Sequence, residues 1–394
     1  MKQSGAKENM MINAPKRIAG FLRKEPMLTV AVLAALISLF ITPPSVKLIK
    51  DIDWHTLGML FMMLTILEGF KKEQIFQPLL RLAGKCGSMA GLSLFLVFSV
   101  FFSSMFVTND VSLIIFVPLT IILFRAGDKE RYILPLLAME NIAAVRGSLL
   151  TPFGSPQNLF IFGQSGVSAA SFTLYMFPIW IISGVLLVCF VLFLYRKDIR
   201  EKTMIPSDAF PSADNGGKAR RITYICLFAL VLFTIVSRTS LWPYAVALVA
   251  LAVLIADRKI LLKTDYVLLV TFFCFFVFSS SIASNESIAA FLQNAVAGRE
   301  YAAGILVSQA ISNVPAAIVL YPFAQNRGAL LYGLDSAGLC SLIGSLASVI
   351  NYRIYVREYP GKGGKFIAVF TAVSLAFFAF VVLPGYFISR NSSF

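Results

Sequence analysis

Long apolar runs separated by short polar, mostly basic connections fill this chain, and several of the runs are themselves interrupted at depth. Uninterrupted runs fall at 27–42, 54–70, 172–195, 222–237, 242–256, 266 onward and 366–388. Most match or approach the ~20 residues a helix needs to cross ~30 Å of hydrocarbon. Nothing alternates with the ten-residue dyad period of a membrane barrel. Four further runs are broken by polar or helix-disrupting residues. Thr108-Asn109-Asp110 splits 88–124, and the segment GSLLTPFGSPQN from Gly147 to Asn158 splits 132–163. Ser312-Asn313-Val314-Pro315 splits 302–323, and Gly344-Ser345-Leu346-Ala347-Ser348 splits 330–350. The pattern predicts an all-α integral membrane protein of about nine full transmembrane helices plus two re-entrant hairpins. For 88–124 charge counting alone leaves a hairpin and two full spans both open.

Charge placement orders these elements. Lys16, Arg17, Arg23 and Lys24 precede the first run, so by the positive-inside rule residues 1–26 form a cytoplasmic segment, and the first run, with no small-residue cleavage site, reads as a retained anchor. The first membrane repeat then spans 27–195. Residues 196–221 form a polar cytoplasmic linker in which Lys and Arg outnumber Asp and Glu, and a single extra span lies in 222–241. A second membrane repeat fills 242–394 and leaves the C-terminus external. One extra crossing inverts everything after it, so the two repeats have opposite topology, with interrupted helices at corresponding places. That arrangement points to the central site of a secondary transporter.

Composition changes this picture little. With 58% hydrophobic and only 14% charged residues, the chain is not a water-soluble globule. The net charge of +14 would suit nucleic acid, but the basic residues sit in the connections, where a topology signal belongs. The five cysteines are scattered singly and read as small apolar fillers. There is no HExxH, GxSxG or Walker loop, which argues against an enzyme and for transport driven by an ion gradient or by another chain.

The chemistry lies at the breaks. Thr108, Asn109, Ser312 and Asn313 bring hydroxyl and amide oxygens to places where backbone carbonyls are freed, a hard donor set suited to a cation such as sodium. Half-helix N-termini at the same places favour an anion. Polar residues of this kind also join helices in membranes without binding anything. Asp110 reads equally as a coupling carboxylate or as a cap for the helix that follows it. Arg146 reads as an anion contact or as a donor to loose carbonyls, and a direct pair with Glu140 fits helical spacing poorly. Glu68, Glu286 and His55 read as interfacial.

The tip Thr108-Asn109-Asp110 followed by Pro118, the segment from Gly147 to Asn158 and the tip Ser312-Asn313-Val314-Pro315 together resemble the ion transporter superfamily. That group comprises the citrate and divalent-anion/sodium symporters, the arsenite permeases and related sodium/proton antiporters. The resemblance runs from about Asp53 to the end of the chain. It implies a scaffold and a transport domain, homodimers in the plasma membrane of a bacterium (the inner membrane), and elevator-type alternating access. It implies no cofactor beyond sodium ions acting as coupling ions. By position, Thr108, Asn109 and Gly154 would line a first cation site, and Ser312, Asn313 and Gly344 a second. The substrate, a small carboxylate or inorganic oxyanion, would lie between the tips near Pro156 and Asn158. Sodium/dicarboxylate members carry Ser-Asn-Thr at both tips, whereas Asp110 and Val314 stand in third place here. Arsenite efflux and sodium/proton antiport are therefore kept as alternatives, with an ion channel more remote.

Overall fold

The computed structural model describes residues 25–43, 46–197, 199, 202 and 217–391. Most of the expected N-terminal segment and of the 196–221 linker lies outside the described residues. Every named element among them is helical. In chain order these are α1 Pro26–Ile41, α2 Val46–Asp51, α3 Trp54–Lys72, α4 Gln77–Leu82, α5 Met89–Val107 and α6 Asn109–Ala126. They continue with α7 Ile133–Gly147, α8 Pro156–Ser165, α9 Ala169–Leu194, α10 Lys218–Ser237, α11 Trp242–Lys263 and α12 Tyr266–Ala283. The last six are α13 Glu286–Val296, α14 Glu300–Ile311, α15 Asn313–Leu320, α16 Arg327–Ala337, α17 Leu346–Glu358 and α18 Gly363–Asn391.

Each of the nine expected crossings coincides with one helix or with an interrupted pair, and the chain is an all-α membrane protein. By length and composition, seven of the helices among the described residues can cross a membrane. Those outside that set have visible reasons. Helix α1 has 16 residues, α3 carries His55, Glu68 and two terminal lysines, and α11 loses helical geometry at Asp257 (φ −167°, ψ 93°), just past Ala256 where the apolar run stops. In the first tip region α5 and α6, with 19 and 18 residues, are each long enough to span. The second is shorter, with 12 residues in α14 and 8 in α15.

The helices start where short side chains can satisfy free amides. The Ser88 hydroxyl accepts from Gly91 N (3.1 Å) before α5, Asp265 Oδ1 from Leu268 N (2.9 Å) before α12, and Asn326 Oδ1 from Ala329 N (2.8 Å) before α16. Pro156 opens α8, where its missing amide costs nothing.

Two compact units are present. The smaller contains the described residues up to Asp53 together with Asp265–Phe291. In it α1 packs on α12, and the Ser281 hydroxyl donates to the Ser38 carbonyl at 2.7 Å. The Ser280 hydroxyl donates to Asp51 at 2.8 Å.

The larger unit contains Trp54–Thr264 and Leu292–Phe394. Its centre is the α7 region, 94% buried, whereas α9 and α18 bury only 22% and 28% of their apolar windows and expose the rest. Helices α5, α6, α9 and α18 all pack on α7. The α5–α6 hairpin lies against α7, and the α14–α15 hairpin against α16. The second arms then cross over: α6 packs on α17, and α15 packs on α8.

Candidate functional site

The two hairpin tips have the same backbone geometry. Thr108 sits at φ 71°, ψ 156° and Ser312 at φ 69°, ψ 159°, a region that residues with a Cβ rarely enter. Both tips are buried: Thr108 is 9% exposed and Ser312 4%, with Asn109 and Asn313 lower still or equal, at 4% and 2%. At each tip the C-terminus of one helix meets the N-terminus of the next, so freed carbonyls and freed amides lie within a few residues of each other. Asn109 Oδ1 accepts from the Asp110 amide at 2.9 Å, which holds the side chain back against the start of α6. Asp110 is half-buried in the first turn of that helix. The Ser312 hydroxyl lies 3.5 Å from Asn313 Oδ1.

The breaks facing the tips are also matched. A Cβ at Gly154 would fall on the Ser148 carbonyl oxygen, and one at Gly344 on the Ala337 carbonyl oxygen. In both places only glycine permits the chain to fold back that closely on the preceding half-helix. Ser155 and Ser345 then precede α8 and α17 in extended conformation. The first tip's hairpin is tied to its break by the Thr151 hydroxyl, which donates to the Met105 carbonyl. At the second, the Ser341 hydroxyl donates to Gln309 Oε1 at 2.6 Å, and the Asn313 amide donates to the Gly344 carbonyl at 3.2 Å. Asn313 and Gly344 are therefore brought into contact.

Other expected residues make local contacts. Pro156 is buried at the start of α8. Asn158 donates from Nδ2 to the Ser148 (3.4 Å) and Leu149 (3.3 Å) carbonyls, bracing the first break, while its buried Oδ1 accepts no hydrogen bond among the described residues. The second break is displaced from the sequence expectation. Helix α16 ends at Ala337, the irregular stretch runs through Ser345, and α17 starts at Leu346 and continues past Asn351 to Glu358. Asn351 lies inside that helix, its Nδ2 donating to the Leu137 carbonyl of α7 at 2.8 Å.

Arg146 and Glu140 face different helices. Glu140, fully buried, accepts from the Thr120 hydroxyl of α6. The Arg146 guanidinium donates from Nε to the Ser183 hydroxyl of α9 at 2.9 Å and from Nη1 to the Asp335 carbonyl at 3.3 Å. The bond to the Asp335 carbonyl is a donation to a carbonyl near the end of a half-helix, while Nη2 makes no hydrogen bond among the described residues.

Asp335 was not among the sequence candidates. It is 2% exposed, near the end of α16, with Oδ1 accepting from Gln157 Nε2 at 2.9 Å and its backbone carbonyl accepting from Arg146. The signal that would have found it is the one that marked Asp110, a carboxylate inside an apolar run. Asp335, Arg146 and Gln157 join the ends of α16 and α7 to the start of α8, so a buried polar cluster spans the two broken helices. A cluster of this kind can hold the breaks in register and offers donors and acceptors of both signs beside the tips.

A family model described as "Citrate transporter" (CitMHS) matches residues 18–344. The chain is also 30% identical over 311 residues to the inner membrane protein YbiR of Escherichia coli (strain K12), covering 77% of this chain and 80% of that protein. It is 30% identical over 305 residues to the uncharacterized transporter MJ0456 of Methanocaldococcus jannaschii, covering 77% and 81%. The paired tips and breaks thus sit in a chain matched by a transporter family model over most of its length, and this chain belongs to the citrate transporter family as a multi-pass membrane protein.

Proposed function

We propose that the protein is a secondary active transporter of a small anion, a carboxylate or an inorganic oxyanion, coupled to a sodium or proton gradient. The observation that carries this reading is the pair of tips with equal backbone geometry, Thr108 and Ser312, each beside a break closed by a glycine, Gly154 and Gly344. Hydroxyl, amide and carbonyl oxygens at Thr108, Asn109 and Gly154, and again at Ser312, Asn313 and Gly344, suit dehydrated sodium. The amide ends of α6, α8 and α15 suit an anion bound near Asn109, Asn313, Pro156 and Asn158. A family described by citrate transport favours a carboxylate within that class. Asp110 is assigned the coupling charge, and access alternates by an elevator-type movement of the site in a homodimer in the plasma membrane, N-terminus cytoplasmic and C-terminus external.

Uptake into proteoliposomes across dicarboxylates, citrate, sulfate and arsenite, with and without a sodium gradient, tests the reading. Asn109→Ala and Asn313→Ala should each abolish gradient-driven uptake; wild-type rates in both would overturn the site. A second reading, arsenite efflux or sodium/proton antiport, is favoured by the carboxylates at Asp110 and Asp335. Under it Asp110→Asn flattens the pH dependence of transport while substrate binding persists. Counter-flow exchange distinguishes either carrier from a channel.

A further inference from the structure

Three buried oxygens of the larger unit play no part at the tips or the breaks. Glu140 Oε2, Asn141 Oδ1 and Asn351 Oδ1 accept no hydrogen bond among the described residues, and all three side chains are 0% exposed. A carboxylate and two amides sealed from solvent carry a large desolvation cost when nothing compensates them.

The three lie where α6, α7 and α17 pack on one another. Glu140 reaches α6, its Oε1 accepting from the Thr120 hydroxyl. Asn141 reaches α17, its Nδ2 donating to the Ser348 hydroxyl at 3.1 Å. Asn351 reaches back from α17, its Nδ2 donating to the Leu137 carbonyl at 2.8 Å. In a helix the Leu137 carbonyl points along the axis at the amides one turn on, so a donor held on it sits level with Glu140 and Asn141. Both asparagines thus use their nitrogens to fasten α7 to α17 and leave their oxygens in the junction.

No positive side chain completes the set. Glu140 forms no ion pair among the described residues. Arg146, the nearest cation in sequence, donates elsewhere, to Ser183 of α9 and to the Asp335 carbonyl of α16. The Ser348 hydroxyl is taken up between Asn141 and the Gly338 carbonyl, 3.5 Å away. A proton on Glu140 supplies one O–H, which satisfies one amide oxygen and leaves the other. A cation satisfies all three oxygens at once and neutralises the carboxylate.

We propose that Glu140 Oε2, Asn141 Oδ1 and Asn351 Oδ1 bind a sodium ion at the junction of α6, α7 and α17. All three are hard oxygen donors, which select an alkali or alkaline-earth ion over a softer metal. One carboxylate balances one charge, whereas a divalent ion would leave a net positive charge buried. No ligand is shared with the tips, so this ion is additional to any held at Thr108, Asn109, Ser312 and Asn313. Helices α6 and α7 come from the first half of the chain and α17 from the second, so the bound ion clamps the two halves together.

The test counts radiosodium bound to full-length protein purified in detergent. The tip variant Asn109→Ala, Asn313→Ala should still bind sodium saturably, because neither substitution touches the junction. Adding Glu140→Gln should weaken that binding by at least about tenfold, since it takes the charge out of the ligand set. In the wild-type background the same substitution should remove one bound sodium per chain, a readout that holds even where the tip variant fails to fold. Asn141→Asp, toward which the Ser348 hydroxyl can turn and donate, adds a second carboxylate and should move the preference from sodium to calcium. No saturable binding in a monodisperse tip variant, undiminished binding with Glu140→Gln, or a sodium preference unchanged by Asn141→Asp would overturn the proposal. Gradient-driven uptake by the wild type reads the tips separately, so the two proposals fail independently.

Discussion

Arg146 Nη1 donates to the backbone carbonyl of Asp335 at 3.3 Å, joining the end of α7 to the end of α16 across 189 residues of sequence. Both side chains are buried. A guanidinium at the C-terminal end of a helix meets the negative end of its dipole and satisfies a carbonyl left free by the break. The Asp335 side chain is turned toward Gln157, whose Nε2 donates to its Oδ1 at 2.9 Å.

Removing either partner should therefore be costly. Arg146→Leu and Asp335→Leu should each destabilise the protein by about 3 kcal/mol, because the first leaves the buried Asp335 carbonyl and the Ser183 hydroxyl without their donor and the second leaves the buried Gln157 amide without its acceptor. The double variant should lose clearly less than the sum. Thermal unfolding in detergent across this double-mutant cycle checks the coupling; additive losses would show that the two residues do not interact.

Gly154→Ala and Gly344→Ala should both fail to give a stable, transport-competent protein, since each methyl would land on a backbone carbonyl that the fold holds in place. The expected loss is about 2 kcal/mol or more per site. Size-exclusion profiles of the detergent extract would report it; a monodisperse Gly154→Ala protein with wild-type stability would contradict the close approach.

Thr108→Gly and Ser312→Gly should act in opposite directions on stability and on function. Glycine relieves a backbone conformation that costs a non-glycine residue about 1 to 3 kcal/mol. Unfolding temperature should rise, while the cation dependence of uptake weakens with loss of the hydroxyl. A fall in both would mean the hydroxyls chiefly support the fold.

Asn141 Nδ2 donates to the Ser348 hydroxyl at 3.1 Å, linking α7 to α17. Hydrogen bonds between membrane helices are typically modest, so the coupling energy between Asn141→Ala and Ser348→Ala should be about 0.6 kcal/mol. A value several times larger would indicate that the pair also holds a ligand.

Much of this fold is legible in the sequence because the bilayer imposes one rule at every crossing. The apolar run ending at Ala256 and the loss of helical geometry at Asp257 coincide, and Thr108 and Ser312 mark the tips because polar residues are expensive at depth. What Glu140 and Arg146 touch was not legible. Spacing rules relate neighbours on one helix, while Thr120 and Asp335 come from other helices brought close only by packing. The start of α17 was misplaced for a related reason: Gly344 and Ser345 look like the centre of a break, yet the break begins at Gly338 and those two residues close it.

The crossed packing of α6 on α17 and α15 on α8 bears on how the protein is made. During synthesis α6 leaves the ribosome well before α17, and until α17 is inserted the face of α6 that it covers has no permanent partner. The first hairpin must wait in the translocon or against lipid for the second half to arrive. Halves expressed separately should be unstable alone and recover only when made together, so assembly of this chain is a single late event.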